Sequence, residues 1–170
     1  MFLNYFLLAF TQISPAQNPT YTLDVNDRTA TGYEFEFDID MTWTNSGVAP
    51  NFEYAGGQYF FDFNKGIANS GIMTLSILES DLPTNMRPRN PTVYTTSTPG
   101  QLRLPVNTFP GAGNGFLMPN GIPVKIVRLR LTTTAPCFAN VPPDLAFRSG
   151  PNPPNPFTKI FALKYSMTGQ

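Results

Sequence analysis

Four carboxylates stand on alternate residues in one stretch of this chain: Glu34, Glu36, Asp38 and Asp40. Paired carboxylates are the acid and the nucleophile or base of most glycoside hydrolysis, which needs two of them flanking one cleft. A row spaced by two residues instead projects along one face of an extended strand. It therefore reads as a solvated face, met across a sheet by cations such as Arg128 and Arg130. Asp24, Asn26 and Asp27 form a second oxygen-rich group, with Asp144 a further acid in a later loop. Calcium takes such hard oxygen ligands, and a turn-forming Asx cluster explains the same residues equally well. Among the rings, Trp43 shares a face with Phe35, Phe37 and Ile39 and belongs to a core. Phe60, Tyr94 and Tyr54 remain as expected surface aromatics able to stack on a sugar. The candidate ligand-binding set is Phe60, Tyr94, Arg87 and Arg89, and the candidate calcium set is Asp24, Asn26 and Asp27.

Other chemistries are excluded by residue type. There is no His, which removes the commonest general base and zinc ligand and every Ser–His or Cys–His nucleophile pair. The single Cys137 can form no internal disulfide, and one thiol is no metal site. Gly111-Ala112-Gly113-Asn114-Gly115 is glycine-rich, but no Lys-Ser/Thr follows and no helix opens there to supply a dipole for phosphate. Eleven basic residues balance eleven acidic ones, so no basic footprint marks a nucleic-acid or anionic-membrane partner.

The elements that must position these groups are strands. From Tyr33 to Thr44 apolar and polar residues alternate without error, with Tyr33, Phe35, Phe37, Ile39, Met41 and Trp43 on one side. That is a long strand with one buried face, the signature of an antiparallel sheet. Further strands are expected at 20–25, 52–63, 71–78, 101–106, 123–133, 145–148 and 160–165, with a short pairing near Val93-Tyr94. The Gly56-Gly57 pair marks a bulge or a close backbone approach. Phe35, Phe37, Ile39 and Trp43 are expected to meet Phe61, Phe63, Leu129 and Leu131 in one core. Eighteen Pro and thirteen Gly punctuate the 170 residues, while fifteen Phe and seven Tyr supply strand formers. The expected architecture is all-β: a two-layer antiparallel β-sandwich of the jelly-roll kind, with about eight or nine strands in one domain over 17–170.

Phe2 to Phe10 is a short apolar run, and Ser14 and Ala16 stand at the −3 and −1 positions of a cut before Gln17. This is the pattern of a signal peptide over 1–16, although no Lys or Arg precedes the run. The run is too short to span a bilayer, which takes about 20 apolar residues. The expectation is an exported protein, secreted or at the cell surface, with no integral membrane segment in the mature chain.

The succession of a long amphipathic strand, "EYAGGQYFFDFN", "KIVRLRL" and a late "LAFRSG…PNPFTKIFAL" resembles the N-terminal cohesin-like domains of exported bacterial surface proteins. In that resemblance Phe61-Asp62-Phe63-Asn64 takes the place of a "YDp"-like strand end, and no partner-contacting residue carries over. Such proteins often end in a type IX secretion sorting domain. Asn155 to Ile160 looks like the opening of one, but reads here as the last loop and strand of this domain, within a longer parent protein. The leader-like start, the all-β pattern and the absence of His point to a non-catalytic module with a structural or adhesive role at the cell surface and a protein or polysaccharide partner. Two other readings stand beside it: a carbohydrate-binding module attached to a secreted enzyme, and a jelly-roll glycosidase-like enzyme.

Overall fold

The alternation that marks 33–44 produces β2 (Glu34–Trp43), whose Phe37, Ile39 and Met41 are fully buried. Around it, in a computed structural model that describes residues 18–49, 51–106, 109–111, 113–149 and 155–163, the regular structure is strand apart from one short 3-10 helix at Lys65–Ala68. The expected signal peptide at 1–16 lies outside the described residues. In chain order the other strands are β1 (Tyr21–Ala30), β3 (Glu53–Phe63), β4 (Met73–Glu79), β5 (Thr92–Tyr94), β6 (Gly100–Leu104), β7 (Phe116–Leu117), β8 (Val124–Thr133), β9 (Ala146–Phe147) and β10 (Lys159–Leu163).

They form two antiparallel sheets. The first runs β1-β2-β8-β4, and the second runs β10-β3-β6-β5, with β7 and β9 also paired to β3. In β8, Val127, Leu129 and Leu131 face inward with Phe37, Ile39 and Met41 of β2. Tyr59, Phe61 and Phe63 of β3 and Leu102 and Leu104 of β6 answer from the second sheet. Phe37 and Phe61 meet edge to face with centroids 6.0 Å apart, and Phe61 packs in turn on Phe147 of β9 at 4.3 Å. The expected core is therefore present, with Phe35 partly buried at its margin.

Several boundaries differ from expectation. The strand that Asn26-Asp27 was expected to close continues to Ala30, because those residues pair with Asp38 and Phe37 of β2 instead of turning. β7 has no counterpart in the periodicity, being only two residues long. The Gly56-Gly57 irregularity is a bulge: the β10 register slips between Phe161 and Ala162, opposite Gly56 and Tyr54. Gly56 sits at φ 141°, where glycine is favoured, and a Cβ on Gly57 would lie 2.6 Å from the Tyr59 hydroxyl.

Candidate functional site

The two outer faces of the sandwich carry the polar residues, and bulges decide which ones. On the first sheet, β1 carries Arg28 as an extra residue between Asp27 and Thr29. β8 carries an extra Ile126, and β4 an extra Leu78. An inserted residue reverses the alternation beyond it. Lys125 thereby joins Arg128 and Arg130 on the outer face, Glu79 turns outward, and Arg28 reaches across.

Asp38 is the centre of this arrangement, its side chain wholly buried beneath two arginines. Arg28 Nε donates to Oδ2 at 2.6 Å, and Arg128 Nε donates to Oδ1 at 2.7 Å. Arg128 and Lys125 also both reach Glu79, each at 3.0 Å. Arg130 spans Glu36 at 2.9 Å and Glu34 at 3.1 Å, and Asn26 donates to Asp40 at 2.7 Å. Burial alone would push the Asp38 carboxyl up, but the hydrogen bonds and charges of Arg128 and Arg28 outweigh it and hold it below its ordinary value. Lys125 does the same for Glu79. A general acid needs its proton retained near neutral pH, so these shifts run opposite to the general-acid role in glycoside hydrolysis. The expected pairing with Arg128 and Arg130 is present; Asp38, however, is not solvated.

The second sheet presents a different outer face, around β3, β5 and β6. The guanidinium of Arg103 lies 3.8 Å from the centroid of Tyr94, stacked over the ring. Its Nε donates to Gln101 Oε1 at 2.9 Å, so the cation is held from two sides. Tyr94 remains 40% exposed. Across β3, Asp62 faces Arg148 at 3.5 Å; among the described residues the facing atoms, Asp62 Oδ1 and Arg148 Nε, have no hydrogen-bond partner. Register places Asp62 beside Gln101, and Gln101 beside Tyr94. No pattern in the sequence marks Arg103 or Arg148 as functional. Arg103 meets the ring only through the β5–β6 pairing, which no local pattern encodes.

The remaining candidates fall elsewhere or change character. Phe60 is not a surface ring: it is 7% exposed. It lies on the inner strand of its sheet, with Arg103 as its neighbour in β6 and Arg148 N donating to its carbonyl. Tyr54 is also buried, because the bulge turns it inward with Tyr59 although the two are five residues apart. Their hydroxyls meet at 2.9 Å, and burial pushes both phenols up. Trp43 belongs to the core as expected, its indole donating to Asn45 at 3.0 Å.

Asp24, Asn26 and Asp27 are strand residues and not a loop cluster. Alternation puts Asp27 on the opposite face from Asp24 and Asn26, so the three cannot close around one calcium ion. Among the described residues no group of three His, Cys, Asp or Glu is placed to hold a metal. Arg87 and Arg89 are exposed but anchored to their own loop, donating to the carbonyls of Leu82 at 2.8 Å and Thr84 at 3.4 Å. The acids an enzyme would draw on are dispersed. Asp24 lies on β1 and Asp144 on an exposed loop, while Glu53 and Asp62 stand near opposite ends of β3. Glu53 is buried and accepts from Gly115 N at 2.6 Å.

No protein-family model matches this chain, and no curated protein matches it. Among solved structures, the endoglucanase CelQ from Clostridium thermocellum, complexed with cellotriose, superposes with a TM-score of 0.51 at 9% identity. The match covers 81% of this chain and 23% of that one. The likeness is one of fold alone. This chain spans less than a quarter of CelQ, as a two-layer β-sandwich shared with part of the larger protein. A cohesin module from the family 33 glycoside hydrolase of Clostridium perfringens ATCC13124 aligns at 18% identity over 68% of this chain and 70% of that one. Its TM-score of 0.33 is too low to add to the argument. Among the described residues no helix is long and apolar enough to cross a membrane.

Proposed function

We propose that this chain is a non-catalytic, exported module with a structural or adhesive role at the cell surface, acting through the outer face of the β10-β3-β6-β5 sheet. The observation that carries the reading is the Arg103–Tyr94 stack at 3.8 Å, with Arg103 also tied to Gln101. A half-exposed ring under an immobilised guanidinium offers a planar contact whose rotamer entropy is already spent, the condition that favours recognition by Tyr and Arg. A protein or a polysaccharide is the partner chemistry this platform suits. Export rests on the leader-like sequence at 1–16.

The test is a binding screen of the purified chain against surface polysaccharides and cello-oligosaccharides, cellotriose included, alongside glycosidase, esterase and protease substrates. Binding without turnover is expected, weakened at least about tenfold by Tyr94→Ala and by Arg103→Ala, the scale of a modest hot spot. Reproducible turnover, abolished by changing Asp24, Glu53, Asp62 or Asp144, would overturn the reading in favour of an enzyme.

A further inference from the structure

At one end of the sandwich the two sheets part around a cavity of about 160 Å³. Phe35 and Leu131 of the first sheet line one side, Phe63 and Ile67 the other, and the 134–145 loop adds Phe138 and a 43% exposed Val141 at a mouth that is open to solvent. The loop is pinned in place. Phe138 N donates to Gly32 O and Ala139 N donates to Ile67 O, while Asn64 donates through its backbone to Pro143 O and through its side chain to Pro142 O. The cavity is thus built by fixed walls.

Its chemistry selects the occupant. Among the described residues, the one hydroxyl in the lining, Thr31, is already engaged with the backbone of Glu34. Water entering by the open mouth finds almost no polar partner on these walls, so an apolar group can displace it without forfeiting a well-ordered hydrogen bond. A peptide backbone would fare no better, since the carbonyls of Gly32, Ile67, Ala139 and Pro143 already accept hydrogen bonds. An apolar group loses nothing on entry, and the edges and faces of Phe35, Phe63 and Phe138 suit an aromatic guest. Size sets its dimensions: an enclosed apolar cavity of about 150 Å³ in another protein takes benzene or xenon, and this open pocket has a similar volume.

We propose that this cavity is a binding site for a free apolar molecule the size of a single six-membered carbon ring. Benzene is the probe. Titrated into the whole chain with labelled methyl groups, it should give saturable shifts at Ile67, Leu131, Val141 and Leu145, and raise the melting temperature in step with occupancy. Ala139→Leu fills the cavity from its lining and should weaken benzene binding at least about tenfold, with a dispersed spectrum showing that the variant folds. Ala30→Leu fills it from the other wall and gives the same readout should the first variant not fold. Shifts that grow linearly to the solubility limit would overturn the proposal. So would saturation at Leu102 and Leu104 in place of the cavity methyls, or undiminished affinity in a folded, filled variant.

Discussion

Changing Asp38 to Asn keeps the shape of the side chain and removes the charge on which Arg28 and Arg128 converge. In the native protein Asp38 is wholly buried, with contacts of 2.6 and 2.7 Å from those two arginines. Removing one partner of a buried pair generally costs about 3–5 kcal/mol. Here the orphaned arginines are 43% and 27% exposed and can recover part of their hydration. The lower end, about 3 kcal/mol, is therefore expected. With a urea m-value of about 2–3 kcal/mol/M, the midpoint should fall by about 1–1.5 M. The pH dependence gives an independent check. Because the folded carboxyl is held below its ordinary value near 3.8, its contribution is complete above that pH and is lost as pH falls through the lower folded value. The gap between native and Asp38→Asn stability should stay constant from about pH 7 to 5 and close below about pH 4. Asp24→Ala, at an exposed position on the same sheet, should stay within about 0.5 kcal/mol of native. Equal losses from the two variants, or a gap that widened in acid, would refute the account of Asp38.

Phe37→Ala empties a fully buried site between the sheets and should cost about 3–5 kcal/mol in the same urea titration. Tyr54→Phe leaves the buried Tyr59 hydroxyl without its partner and should cost about 1–3 kcal/mol; the Tyr54→Phe/Tyr59→Phe double variant should cost less than the sum of the two single changes, as a double-mutant cycle would read.

The sequence disclosed what period-2 patterning can disclose. In β2 and β8 the alternation named both the buried rows and the outward acids and arginines, because long regular strands on a core must keep one face apolar. It failed where one residue is inserted. Bulges carry no strong local signal, yet those at Arg28, Ile126 and Leu78 moved Lys125 and Glu79 to the charged face, and the one near Gly56 turned Tyr54 inward. Alternation puts Phe60 on the correct side of β3 but says nothing about whether an outer face is covered. Asn26 and Asp27 carry turn propensity that their pairing with β2 overrides. Of the candidate ligand-binding residues, Tyr94 alone is an exposed ring with a cation stacked on it. Its partner Arg103 became evident only from strand register.

β3 stands between four partners, with β6 and β7 along one edge and β9 and β10 along the other. Those partners arrive late: Gln58, at the β10 junction, bonds to Phe157 across 99 residues of sequence. During synthesis β1 and β2 can pair as soon as they emerge, whereas the apolar β3 must wait for its outer neighbours. At 5–20 residues per second that wait lasts roughly 5–20 s. Throughout it a long strand rich in Tyr and Phe has an unpaired edge, a template for joining the wrong chain. The same central position that organises the finished second sheet thus makes the nascent protein most vulnerable to aggregation, and makes completion of that sheet the slow step expected of such non-local pairing.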